Sequence, residues 1–234
     1  VPEVSAVEST SSAFSPTVEG VVLLHGIFRT SRSMAALARD LEQAGYTTLN
    51  VNYPSTRLNL AELVEWLHPL VQRFALGVSR LHFVGYSMGG LLIRAYLARY
   101  RPAHLGRVVM IGTPNRGSEV ADFLKPLALY RWLYGPAGQE LGTGMKVDYL
   151  PFSVDYPLGI IAGNRSVDPL CGRLLPRPHD GKVSVENTKL EGMTDHKVLP
   201  VAHPFLPGAA SVRQQVLAFL RRGLFEASAA KDNE

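Results

Sequence analysis

The sequence predicts an α/β sandwich, a mainly parallel central sheet with helices on both faces, built as one domain. Three features lead to that expectation. Short runs that are apolar at every position recur along the chain, segments of helical period separate them, and one apolar run passes straight into a glycine–serine–glycine turn. A strand that is apolar at every position suits burial on both faces, as in a parallel sheet covered by helices.

The strand candidates, rich in Val, Ile and Leu, are residues 21–24, 47–51, 81–84, 108–111, 158–162 and 197–201. Between the first two, Met34, Leu37, Ala38 and Leu41 follow the i, i+3, i+4, i+7 spacing of a buried helix face, with Gly45 where a C-cap belongs. Leu63, Val64, Leu67, Val71 and Phe74 mark a second helix, opened by Asn59 and Glu62 as a variant capping box, with a kink expected at Pro69. Residues 91–100 read as a third helix, and Val212, Val216, Phe219 and Leu220 as the last. Residues 1–19, with five serines and little periodicity, are expected to be flexible, as is the small, polar tail 226–234. The folded domain is therefore expected over 20–225.

Composition removes several alternatives. With 46% hydrophobic residues, the 234-residue chain has enough apolar surface to offset the entropy of ordering, so the body is not disordered. A single cysteine, Cys171, excludes an internal disulfide framework and a cysteine-only zinc site. No window approaches the length of apolar sequence that a membrane-spanning helix needs. The net charge of +4 is spread rather than clustered, which argues against a nucleic-acid stripe. His179-Asp180 and Asp195-His196 are too sparse for a metal ligand set, so no metal or organic cofactor is expected. The first residue is Val1 and no apolar signal core follows, which leaves two expectations: a processed secreted chain or a cytoplasmic one with a loose leader.

The most informative stretch is Leu81-His82-Phe83-Val84-Gly85-Tyr86-Ser87-Met88-Gly89-Gly90. A strand that ends in Gly-x-Ser-x-Gly and turns at once into a helix is the context of a nucleophile elbow. Small residues two before and two after the serine give room for a cramped bend. The helix N-terminus behind it favours negative charge that develops on a reacting carbonyl oxygen. Seven histidines compete for the role of base. Ligands of open α/β sheets sit beyond the carboxyl ends of the strands. His203 follows the run 197–201 and lies at that end, whereas His196 precedes it and should lie at the other. His82 in a strand and His68 in a helix read as packing residues. Two carboxylates follow the strand at 158–162 and stay open as the acid: Asp168, nearer the strand end, and Asp180.

On these residues the chain resembles the α/β-hydrolase superfamily, in particular its small bacterial lipases and esterases. The matching pieces are His25-Gly26, the Ser87 motif, Gly112-Thr113-Pro114-Asn115-Arg116-Gly117-Ser118, and a late Asp-Gly followed by His. No counterpart of the family's opening hairpin precedes Val21, so a minimal version of the fold is expected. The resemblance implies an esterase or lipase with Ser87 as nucleophile, His203 as base and Asp180 as acid, since Asp180-Gly181-Lys182-Val183 is similar to the stretch around the lipase acid. It implies an oxyanion hole from the backbone N–H groups of Met88 and Ile27, with Phe28 as the near alternative for the second. Phe28 and Tyr86 are expected beside the substrate, and His25 as a brace for its loop. An aromatic, apolar cap-like insertion is expected over 118–152, suited to short or medium acyl esters of a small molecule or lipid. An acyltransferase or thioesterase on the same three side chains is the alternative, and a non-catalytic binding module the third reading.

Overall fold

A computed structural model describes residues 17–117, 150–151, 153–167 and 175–227. Nearly all of the expected insertion at 118–152, and Asp168, therefore lie outside the described residues, as do 1–16 and 228–234.

Six strands form one sheet: β1 Gly20–Leu24, β2 Thr47–Val51, β3 Leu81–Tyr86, β4 Leu105–Ile111, β5 Leu158–Arg165 and β6 Asp195–Ala202. Their spatial order is β2-β1-β3-β4-β5-β6, and every neighbouring pair is parallel. The expected strands are all present, and β3, β4, β5 and β6 extend beyond the apolar runs that reveal them. Central β1 and β3 are buried at every position, whereas edge strand β2 is mostly half-buried and edge strand β6 mixes half-buried, exposed and buried positions. That gradient is why the outer strands carry Thr47, Thr48, Asn50, Asp195 and Lys197 in place of a pure aliphatic run.

Alternate strand residues enter two separate cores, as the two-residue period of a strand requires. Val22, Leu24, Phe83, Val108, Met110 and Ile160 face α2 (Leu60–Ala75) and α3 (Met88–Arg99). Val21, Leu23, Val84, Val109, Ile111 and Ile161 face α1 (Ala35–Gln43) and a C-terminal helix, Ala210–Arg222. A short helix α4 (Val185–Thr188) precedes β6, which makes the C-terminal helix α5. Each buried leucine such as Leu63 or Leu67 contributes roughly 2 kcal/mol of transfer free energy.

The helix ends follow their chemistry. Asn59 and Glu62 form the reciprocal capping box, each side chain accepting the other's backbone N–H at 2.9 Å. Gly45, with φ of 92°, takes the left-handed position just past the end of α1. The helix α2 runs through Pro69, held by Leu67 and Val71 buried on either side. The described residues at either end are tied to the sheet. Glu19 bonds the Thr47 N–H and pairs with His82 and Arg80, while Glu226 accepts from Lys197 and Arg222. Polar side chains anchor both ends there, where apolar periodicity gives no signal.

Candidate active site

Ser87 stands between β3 and α3 with φ of 54° and ψ of −120°, a left-handed backbone that costs a non-glycine residue about 1–3 kcal/mol. The surroundings hold it there. Its N–H donates to the Ile111 carbonyl at 2.8 Å, and its carbonyl accepts from the Gly90 N–H at 3.0 Å. There is no space for a larger residue on either flank. A Cβ on Gly85 would lie 2.5 Å from the Gly90 nitrogen, and one on Gly89 would lie 2.3 Å from the Leu24 oxygen. The glycines permit β1, β3 and α3 to touch through backbone, and the serine is left on the apex.

His203 begins a 3-10 turn, His203–Gly208, immediately after β6. Its Nε2 lies 3.1 Å from Ser87 Oγ, and its Nδ1 lies 2.7 Å from Asp180 Oδ2. Asp180 is buried, and its second oxygen accepts the N–H groups of Lys182 at 2.9 Å and Val183 at 2.8 Å. The backbone closes the same unit, because the His203 N–H donates to the Asp180 carbonyl at 3.0 Å. Gly181, at φ of 98°, makes the turn that allows these bonds. The fold thus brings Ser87, His203 and Asp180 into one hydrogen-bonded line. With Nδ1 protonated toward the carboxylate, Nε2 is the acceptor that faces the serine hydroxyl. Asp168 lies outside the described residues.

Ile27 and Phe28 form the middle of a turn closed by the Arg29 N–H on the Gly26 carbonyl at 3.1 Å, with Phe28 at φ of 58°. The turn lies against the elbow, since a Cβ on Gly26 would sit 3.2 Å from Ser87 Cβ. Among the described residues no acceptor takes the Ile27 N–H. Met88 is the first residue of α3, where backbone N–H groups have no partner one turn earlier in the helix. Phe28 is half exposed at this edge. Tyr86 is buried, its hydroxyl donates to the His203 carbonyl at 2.9 Å, and its ring lies 5.2 Å from the imidazole. Its described contacts support His203, and burial at its place raises the phenol's pKa.

Four of the other histidines have partners away from Ser87. His25 stacks on Tyr53, donates from Nδ1 to the Gly26 carbonyl at 2.8 Å and accepts the Tyr53 N–H at 3.3 Å. Tyr53 closes the clasp by donating its hydroxyl to the His25 carbonyl. His82 contacts Glu19 and accepts the Arg107 N–H, and His196 at the start of β6 meets Thr188. Burial lowers the pKa of His25, His82 and His196 alike. His68 stacks on Tyr100 within the helical layer. No group of three His, Cys, Asp or Glu among the described residues could hold a metal ion, and no described helix is long and apolar enough to cross a membrane.

Two supports escaped the sequence reading. Tyr53 is separated from His25 by 28 positions, so nothing local pairs them. Arg94 is buried within α3 and donates to Asn115 Oδ1 and carbonyl and to the Pro151 carbonyl, at 3.2, 3.0 and 2.6 Å. Burial brings its pKa down to about 10. It ties the described residues on either side of 118–149 to the helix that follows Ser87.

Known proteins share these features to different extents. Residues 20–147 match the family described as alpha/beta hydrolase fold. A triacylglycerol lipase of Pseudarthrobacter phenanthrenivorans is 45% identical over 51 residues, which are 22% of this chain and 16% of that protein. A lysosomal thioesterase PPT2 homolog of Drosophila melanogaster is 27% identical over 149 residues, 58% of this chain and 50% of that protein. The chain thus spans half or less of the length of these curated relatives. Among solved structures, the mature form of the Bacillus licheniformis lipase BlEst2 is similar with a TM-score of 0.65 at 23% identity, over 94% of this chain and 96% of that one. At that identity the likeness speaks to the fold.

Proposed function

The chain belongs to the alpha/beta hydrolase fold family, and from that premise we propose that it is a serine hydrolase of carboxylic esters. One observation carries the reading: the unbroken line Ser87 Oγ, His203 Nε2, His203 Nδ1 and Asp180 Oδ2, with spacings of 3.1 and 2.7 Å, beside a helix N-terminus. Neither a stable turn nor a packed core needs all three groups in that order.

In this reading His203 takes the hydroxyl proton as Ser87 attacks the ester carbonyl. The oxyanion that forms is held by the Met88 and Ile27 N–H groups, aimed at the position where charge develops. Collapse of the tetrahedral species expels the alcohol, which takes the proton back from His203. Water then attacks the acyl-enzyme by the same route and releases the acid. Asp180 keeps the imidazole in the productive tautomer and stabilises its cation without accepting the proton. The steps need no metal or organic cofactor.

The similarity to a lysosomal thioesterase favours one second reading, acyl thioesters as substrates of the same three groups. A panel of nitrophenyl esters from acetyl to palmitoyl, run beside acyl thioesters, tests both. Ester turnover that disappears in Ser87→Ala and Asp180→Asn but survives in Asp168→Asn is the expected result. Loss in the Asp168 variant alone would overturn the acid assignment, and a strong preference for palmitoyl would overturn the expectation of short or medium chains.

A further inference from the structure

At the carboxyl ends of β5 and β6 the surface forms an open cavity of about 800 Å³. Its described lining includes Arg165, Val167, Arg177, His179, Pro200 and Phe205, and no described Asp or Glu. Ser87, Asp180 and His203 are not part of that described lining, although His179 and Ala202 adjoin two of them in sequence. Arg165 and Arg177 are exposed, and neither has an ion pair or side-chain hydrogen bond with another described residue. Elsewhere Arg101, Arg116 and Arg213 are matched to Asp155, Glu186 and Asp40. Phe205 is 60% exposed and Val167 63%, both large apolar residues on the same concavity.

Guanidinium forks fit the paired oxygens of carboxylates and phosphates, and apolar side chains left open in a concave surface mark a place that another molecule covers. We propose that this cavity binds an amphiphilic oxyanion, its charged head between Arg165 and Arg177 and its apolar chain along Val167, Pro200 and Phe205. The head and chain belong either to a free fatty carboxylate or to an anionic lipid in a bilayer. The site rests on the cavity and its lining, and it stands whether or not the chain hydrolyses esters.

Equilibrium dialysis of the full chain with labelled decanoate tests the first source, and co-sedimentation with phosphatidylglycerol vesicles, against phosphatidylcholine vesicles, tests the second. Saturable binding in at least one arm is expected. The double variant R165Q/R177Q should weaken it by about tenfold or more, since each charge-assisted contact is worth at least about 1.4 kcal/mol, or one factor of ten. Phe205→Ser should weaken it without removing charge, and uncharged decanol should not compete. All three side chains are exposed, and an unchanged urea midpoint verifies that the variants fold. The arm that binds names the source. Binding that is absent from both arms, that survives R165Q/R177Q, or that decanol matches would overturn the proposal.

Discussion

The turn after β3 and the loop that carries Asp180 are held in place by different physics. Around Ser87 the constraint is space: Gly85 and Gly89 have no room for a methyl group, and three elements meet through backbone. Around Asp180 and His203 the constraint is a set of directional bonds. The carboxylate accepts two loop N–H groups, the His203 N–H reaches the Asp180 carbonyl, and the Tyr86 hydroxyl reaches the His203 carbonyl. A steric constraint fails abruptly because overlap energy rises steeply, whereas a bonded one fails by increments. The position of Ser87 and the orientation of His203 are therefore separable by substitution.

The largest effect tests the bonded side. Asp180→Asn preserves shape but presents an amide where the imidazole N–H needs an anion, so kcat on a nitrophenyl ester should fall by about 10⁴-fold with little change in KM. A variant within tenfold of the wild type would show that the bond to Asp180 does not govern the imidazole. On the steric side, Gly89→Ala should lose at least about 1–3 kcal/mol of stability together with activity, because the intruding carbon meets the Leu24 and His25 carbonyl oxygens of β1 and its loop. A urea midpoint equal to that of wild type would mean the turn has slack that the structure denies.

A smaller effect is expected from Tyr86→Phe, which removes one hydrogen bond to a buried carbonyl. Stability should fall by about 1 kcal/mol, and kcat should drop more than KM changes, since the ring still fills its place. The smallest concerns pH. Burial lowers the pKa of His25, His82 and His196 below the ordinary 6.5. The unfolded chain then binds more protons than the folded one below that value, so stability rises with pH across this window. Urea midpoints should be flat above about pH 7 and decline as pH falls from 6.5 toward the folded-state values. A midpoint that holds or climbs on acidification would contradict the buried, neutral state of these rings.

The same contrast explains what was legible in the sequence. Steric requirements are local, and they appear as neighbouring letters: Gly85, Ser87 and Gly89 lie within five positions. The aliphatic strands and the capping box at Asn59 and Glu62 are legible for the same reason. Hydrogen-bonded supports join distant positions. Tyr53 clasps His25, Tyr86 reaches His203 and Arg94 reaches Asn115 and Pro151, and none of these pairs leaves a pattern in a window of sequence. The resemblance implies Tyr86 beside substrate. A strand places successive side chains on opposite faces, however, and Tyr86 shares the core of Val84 and Leu206 under the imidazole. Arg94 looks like a solvent-facing helix residue, and only its burial reveals the tie it makes.

In the proposed mechanism Ser87 is made nucleophilic by His203. Treatment with a fluorophosphonate, followed by peptide mapping in a mass spectrometer, reads that reactivity at one atom. A single adduct on Ser87, formed at least about a hundredfold more slowly in His203→Ala, is the predicted result. A folded wild-type chain that stays unlabelled at Ser87, or that reacts equally fast without the imidazole, would contradict it.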